Sequence, residues 1–223
     1  MPGRFITFEG GEGVGKSTQV GRLARRIEAK GLEVVATREP GGSPKAERIR
    51  EVLLRGGAKR FGPLGEALLL CAARADHLDA LIRPALKRGA FVICDRFADS
   101  TRAYQGALGA VDDTVLSALE RVVVGETRPD LTLILDAPVA LSLSRTAARG
   151  GAPDRFEAEA PGFHERLRQA FLDIAAREPG RCVIVDASAD PEHVEHVVWA
   201  AVAARWPDEL GTAAPARRAA YGV

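Results

Sequence analysis

The chain has 223 residues, 46% of them hydrophobic, enough to bury the core of one α/β domain. Lys+Arg 31 against Asp+Glu 30 leaves a formal net charge of +1, which excludes a protein-wide nucleic-acid footprint. Cys71, Cys94 and Cys182 stand in apolar contexts without metal-ligand spacing, and no leader segment or bilayer-length apolar run is evident, so free thiols, a cytoplasmic location and no membrane partner are expected.

Residues 4–8 form the first expected strand, and 16–30 carry the period of an amphipathic helix. Between them runs Gly10-Gly11-Glu12-Gly13-Val14-Gly15-Lys16-Ser17-Thr18, which contains the phosphate-cradling pattern G-x-x-x-x-G-K-[ST]. Glycines let consecutive backbone N–H groups curl round a polyphosphate, and the positive end of the following helix adds to the attraction. This stretch is the expected ATP site. Lys16 is placed for the outer phosphates, and the Ser17 hydroxyl for the accompanying Mg²⁺.

A second strand at 33–37 leads into Thr37-Arg38-Glu39-Pro40-Gly41-Gly42, which taken alone reads as a strand-ending turn with Arg38 able to reach an anionic acceptor. Helices follow at 44–55 and 63–88, then a strand at 91–94. Asp95, at that strand's end, is placed to hold a metal-bound water, and Arg96 to lie between donor and acceptor phosphates. Ser100, Thr101, Tyr104 and Gln105 offer hydroxyl, phenol and amide groups to a base or sugar.

A helix at 112–124, a strand at 131–135 and a helix at 138–148 precede the Gly-, Pro- and charge-rich segment 149–160. That segment reads equally as a solvated loop or as a lid whose Arg149 and Arg155 neutralise a phosphoryl group in flight. A helix at 161–177, a strand at 182–185 and a helix at 191–205 complete the pattern, and several helices begin with Pro in the first turn. Near-continuous apolar strands interleaved with helices predict an α/β fold, a doubly wound five-stranded parallel sheet flanked by helices. Residues 1–207 are expected to form one domain and 208–223 a disordered tail.

Taken together the motifs resemble thymidylate kinase over nearly the whole chain, from Phe5 to about Trp206. They are a P-loop opened by Phe8-Glu9-Gly10, the hexapeptide from Thr37, Ala72-Ala73-Arg74, the run from Asp95 to Gly106, and Arg128-Pro129-Asp130-Leu131-Thr132-Leu133. The lid arginines, with Gly13 in the P-loop, are similar to the bacterial subtype that carries its catalytic arginine in the lid. The resemblance implies a P-loop nucleoside monophosphate kinase that takes ATP, Mg²⁺ and dTMP, yields dTDP and forms a homodimer. It implies that Arg74 and Arg96 clamp the dTMP phosphate, with Arg74 also near thymine, and that Arg38 lies on the rim. It further implies that Glu12 faces the sugar 3′-hydroxyl, that Ser100, Thr101 and Gln105 read the base edge, and that Tyr104 crowds the 2′ position. A cis peptide before Pro40 is implied as well. Many family members carry phenylalanine four residues before the Arg74 position, where this chain has Leu70; apolar contact with the ring survives, but aromatic stacking must be weaker or come from elsewhere, such as Phe97 or Tyr104.

Two other readings stay open from the sequence. A kinase for a different small phosphate acceptor keeps the same machinery. A slow nucleotide-hydrolysing switch is the other, although a chain without asparagine cannot carry the guanine-reading Asn-Lys-x-Asp signature.

Overall fold

Each apolar run becomes a strand, and each strand ends one residue later than the apolar letters suggest. The strands are β1 (Arg4–Glu9), β2 (Val34–Arg38), β3 (Phe91–Asp95), β4 (Leu131–Asp136) and β5 (Cys182–Asp186) in a computed structural model that describes residues 3–150 and 155–211. The added residues are Glu9, Arg38, Asp95, Asp136 and Asp186. Ladder hydrogen bonds need only backbone, so a polar side chain at the carboxyl end does not stop the strand. It marks the edge where the sheet opens on a ligand cleft.

All pairings are parallel, in the order β2-β3-β1-β4-β5. Asp95 is in register with both Phe8 and Arg38, which brings Glu9, Arg38 and Asp95 to one edge. Helices α1 (Lys16–Glu28) and α9 (Pro191–Arg205) cover the face that presents Ile6, Phe8, Ile93 and Leu133. The other face packs Phe5, Val92 and Cys94 against the segment that holds Leu78, Ile82 and Ala85, and packs Ile134 against α8 (Pro161–Arg177). The three cysteines are free and buried. Among the described residues no helix is long and apolar enough to cross a membrane.

Three local expectations need correction. The helix expected at 63–88 is α3 (Gly62–His77), a π-helical turn (Leu78–Ile82) and α4 (Arg83–Lys87). Pro84 lacks an N–H and its ring crowds the carbonyl four residues back, so the ladder widens just before it. The run after Asp95, read as a polar cluster, is helical: α5 (Ala98–Thr101) continues into a π-helical segment (Arg102–Leu108). The expected tail starts too early. After α2 (Pro44–Leu54), α6 (Asp113–Val123) and α7 (Val139–Arg149), the chain closes with α10 (Pro207–Leu210), whose Leu210 is 1% exposed in the main core. Arg4 pairs with Glu209 there, Nε to Oε1 at 3.1 Å. The residues of the expected tail from 212 onward, and 151–154 of the expected lid, lie outside the described residues.

Candidate active site

The loop from Gly10 to Gly15 joins β1 to α1 at the carboxyl edge of the sheet. Gly13 has φ 72°, and a Cβ there would lie 2.1 Å from the Ser142 carbonyl oxygen, so α7 packs directly against the loop. Lys16 begins α1 and is buried; its Nζ donates to the carbonyls of Gly10 at 3.1 Å and Gly11 at 2.5 Å. Burial lowers the Lys16 pKa, and nearby Arg96 lowers it further, to about 8 despite Glu12 and Asp95. Ser17 Oγ donates to Asp95 Oδ2 at 2.5 Å.

Arg96 follows β3 with φ 69°, a conformation that costs a side-chain-bearing residue about 1–3 kcal/mol and persists only where surroundings hold it. Its N–H donates to the Phe8 carbonyl at 2.8 Å. Its guanidinium donates to the Gly10 carbonyl at 3.0 Å, Ser100 Oγ at 3.2 Å and Glu12 Oε1 at 2.7 Å. The same Glu12 oxygen accepts from the Tyr104 hydroxyl at 2.6 Å. Burial raises the Glu12 carboxyl, but Arg96, Lys16 and Tyr104 outweigh it and hold the pKa at about 2. The cations Lys16 and Arg96 thus flank the phosphate loop, with the anion Glu12 between them.

Glu9 braces this arrangement from below. Its buried carboxylate accepts from the Phe97 N–H at 2.7 Å and from Ser100 Oγ at 2.6 Å, which pins the start of α5. Burial and Asp99 together push its pKa up to about 7. A second chain of contacts fixes Arg74, which is 3% exposed. Its Nε donates to Glu39 Oε2 at 2.7 Å and its Nη2 to Thr101 Oγ1 at 3.0 Å. The other Glu39 oxygen lies 3.1 Å from His77 Nδ1, and His77 Nε2 lies 2.8 Å from Thr37 Oγ1. The Glu39–Pro40 peptide is cis.

A cleft of about 740 Å³ runs along this edge. Glu12, Gly13, Val14, Gly15, Lys16, Ser17, Thr18 and Asp95 line its middle. At one end Leu70, Arg74, Arg96, Ser100, Thr101, Tyr104 and Gln105 line it, with Arg38 on the wall. Gly10 and Gly11 belong instead to the small cavity behind the loop. Arg149 lines the cleft and pairs with Glu157. Arg155 does not join it: its guanidinium turns onto Glu66, Nη2 to Oε2 at 2.9 Å. Arg38 pairs with Glu47, Nη2 to Oε1 at 3.0 Å.

Several residues escape the sequence reading. Arg145 lines the far end of the cleft with Gln19, Ala187, Ala189 and Pro191, and donates to the Ala187 carbonyl at 2.7 Å. Arg50 lines the wall and donates to the Pro40 carbonyl at 2.7 Å. On paper both look like ordinary polar positions of amphipathic helices. Glu9 and Glu39 enter the sequence reading only as letters of longer motifs, and Glu66 and His77 carry no spacing that sets them apart from surface charges.

A family model described as Thymidylate kinase matches residues 8–198. The chain is similar to the thymidylate kinase of Caulobacter vibrioides, 59% identical over 192 residues, 86% of this chain and 92% of that protein. It is similar to the thymidylate kinase of Nitrobacter hamburgensis, 58% identical over 204 residues, 91% of this chain and 89% of that protein. Its fold is similar to the crystal structure of thymidylate kinase from Ehrlichia chaffeensis, with a TM-score of 0.72 and 32% identity over 91% of this chain and 100% of that one.

Proposed function

The chain belongs to the thymidylate kinase family, ATP-dependent kinases that pass a phosphoryl group to dTMP, and from that premise we propose how its residues divide the work. The observation that carries the reading is Arg96, held in a left-handed backbone with its guanidinium bridging the P-loop carbonyl of Gly10, Glu12 and Ser100. Residues Glu12 to Thr18, which line the cleft, hold the ATP phosphates, with Lys16 on the outer ones and Gly10 and Gly11 shaping the loop from behind. The lobe of Gln19, Arg145 and Pro191 takes the adenine. Arg74 and Arg96 hold the dTMP phosphate, Arg38 adds charge at the rim, and Glu12 with Tyr104 frames the sugar. Leu70, Ser100, Thr101 and Gln105 face the base, with Phe97 and Tyr104 as its aromatic neighbours.

Ser17 and Asp95 fit a magnesium ion, since a hydroxyl and a carboxylate 2.5 Å apart are hard oxygen donors. Among the described residues no cluster of three or more metal-ligating side chains occurs, which suits an ion held mainly through phosphates and water. When bound, such an ion neutralises phosphate charge.

No general base is required of the protein. The acceptor monoester has a second pKa near ~6, so its attacking oxygen is largely ionised at neutral pH. The difficulty is to bring two anions into line, and Lys16, Arg96 and Arg149 supply positive charge for that. Closure of a lid over 149–160 keeps water out. The ion pair with Glu66 gives Arg155 a holding task there instead of a place on the phosphates.

Two further elements of the reading concern the whole chain. Residues 1–207 extended to Leu210 act as one domain in the cytoplasm, where its three free thiols remain reduced. Two copies associate through the exposed stripe Phe61, Leu64 and Leu68, beside Val52. The test is a coupled ADP-release assay with ATP over dTMP, dUMP, dCMP, dGMP and no acceptor. Preference for dTMP over negligible background supports the reading. Better use of another monophosphate breaks the base assignment, and acceptor-independent hydrolysis alone favours a switch.

A further inference from the structure

Glu66 is buried in the first turns of α3 and lines the base end of the cleft. Arg155, from the far side of the lid, closes on it with both terminal nitrogens, one to each carboxylate oxygen. Gln105 Nε2 lies 3.5 Å from Glu66 Oε2, and Gln105 is 3% exposed. Its Oε1 is buried and has no hydrogen-bond partner among the described residues. A buried acceptor left alone is costly, so the site favours a ligand that brings a donor to it.

A carboxylate paired with arginine only accepts hydrogen bonds. The NH₂ end of the Gln105 amide therefore faces Glu66, and the carbonyl end is turned away from it. Flipping the amide sets two oxygens against each other in a low-dielectric site. We propose that Glu66, held by Arg155, is a positioning residue for base selection: it locks the Gln105 amide so that the site accepts a base presenting a ring N–H and rejects one presenting a bare ring nitrogen. Thymine presents N3–H and cytosine a bare N3, so the lock acts by repelling the wrong base as well as by welcoming the right one. The inference rests on the reading that Gln105 faces the base of dTMP.

The experiment compares kcat/KM for dTMP and dCMP in wild type, Glu66→Gln and Glu66→Asp, with the melting temperature of each. A glutamine at 66 can donate to a flipped Gln105 carbonyl, so the dTMP-to-dCMP ratio falls roughly tenfold, partly through better use of dCMP. Glu66→Asp keeps an acceptor-only group and retains most of the ratio even where overall activity drops. Equal losses on both nucleotides in Glu66→Gln, or an unchanged ratio, overturn the inference and leave Glu66 a structural residue. If Glu66→Gln does not fold, Arg155→Gln decides. Without that clamp Glu66 no longer fixes the Gln105 amide, so the dTMP-to-dCMP ratio falls in this variant, and an unchanged ratio counts against the lock. A wild-type enzyme without preference for dTMP defeats the base reading itself, a different failure.

Discussion

At the scale of single residues, the P-loop letters and the Asp95–Arg96 pair were legible because backbone geometry and charge leave few alternatives at a strand end. Arg96 could be named from the sequence, but its left-handed backbone could not, since nothing in an arginine announces a positive φ. Glu9 shows the opposite gap. It stands just past the expected strand as a letter of Phe8-Glu9-Gly10, yet its carboxylate pins the turn that carries Arg96. Its pKa stands near 7 against an ordinary 4.5, so the folded protein binds a proton there more tightly than the unfolded chain. Stability therefore declines as pH rises through that window. Chemical denaturation of wild type and Glu9→Gln from pH 4.5 to 8 should show wild type losing on the order of 3 kcal/mol relative to the variant. Parallel curves for the two proteins across that range contradict this account of Glu9.

At the scale of elements, periodicity placed all five strands and the α8 and α9 helices, because long amphipathic patterns outweigh local exceptions. It failed where one side chain changed the ladder, as at Pro84, and where polar letters hid a helix, as at 98–108. Those polar letters face the cleft and the Arg181–Asp99 pair, Nη1 to Oδ2 at 2.7 Å, instead of solvent. The end of the chain was misjudged for a related reason: a four-residue helix is too short to show a period. Leu210 fills the core beside Trp206, and Arg4 reaches Glu209. Truncation after Trp206 should destabilise the fold by about 2–5 kcal/mol, the range for removing a buried leucine. Truncation after Gly211 keeps α10 and serves as the reference. Equal melting temperatures for the two truncations would show that α10 does not dock.

Across the whole molecule, the doubly wound order carries the argument from sequence to site. Parallel strands put every carboxyl end on one edge, so a P-loop after β1 and an Asp-Arg pair after β3 must meet there. The resemblance implies a homodimer but names no surface for it, because an apolar helix face can serve a core or a partner equally well. With the fold in hand, Phe61, Leu64 and Leu68 remain exposed, at 54%, 47% and 49%. Sedimentation of wild type should give a dimer and Leu68→Glu a monomer; identical masses for the two would move the interface elsewhere.

The central claim is that Arg96, braced by Gly10, Glu12 and Ser100, supplies positive charge where the phosphoryl group moves. Its most direct test is kcat of Arg96→Ala with saturating ATP, Mg²⁺ and dTMP, measured beside its thermal unfolding. Loss of one preorganised charge at the reacting centre predicts kcat lower by about 10²–10³. Melting should shift by only a few degrees, because Lys16 and Tyr104 still accompany Glu12. A kcat within a few-fold of wild type would take Arg96 out of the mechanism.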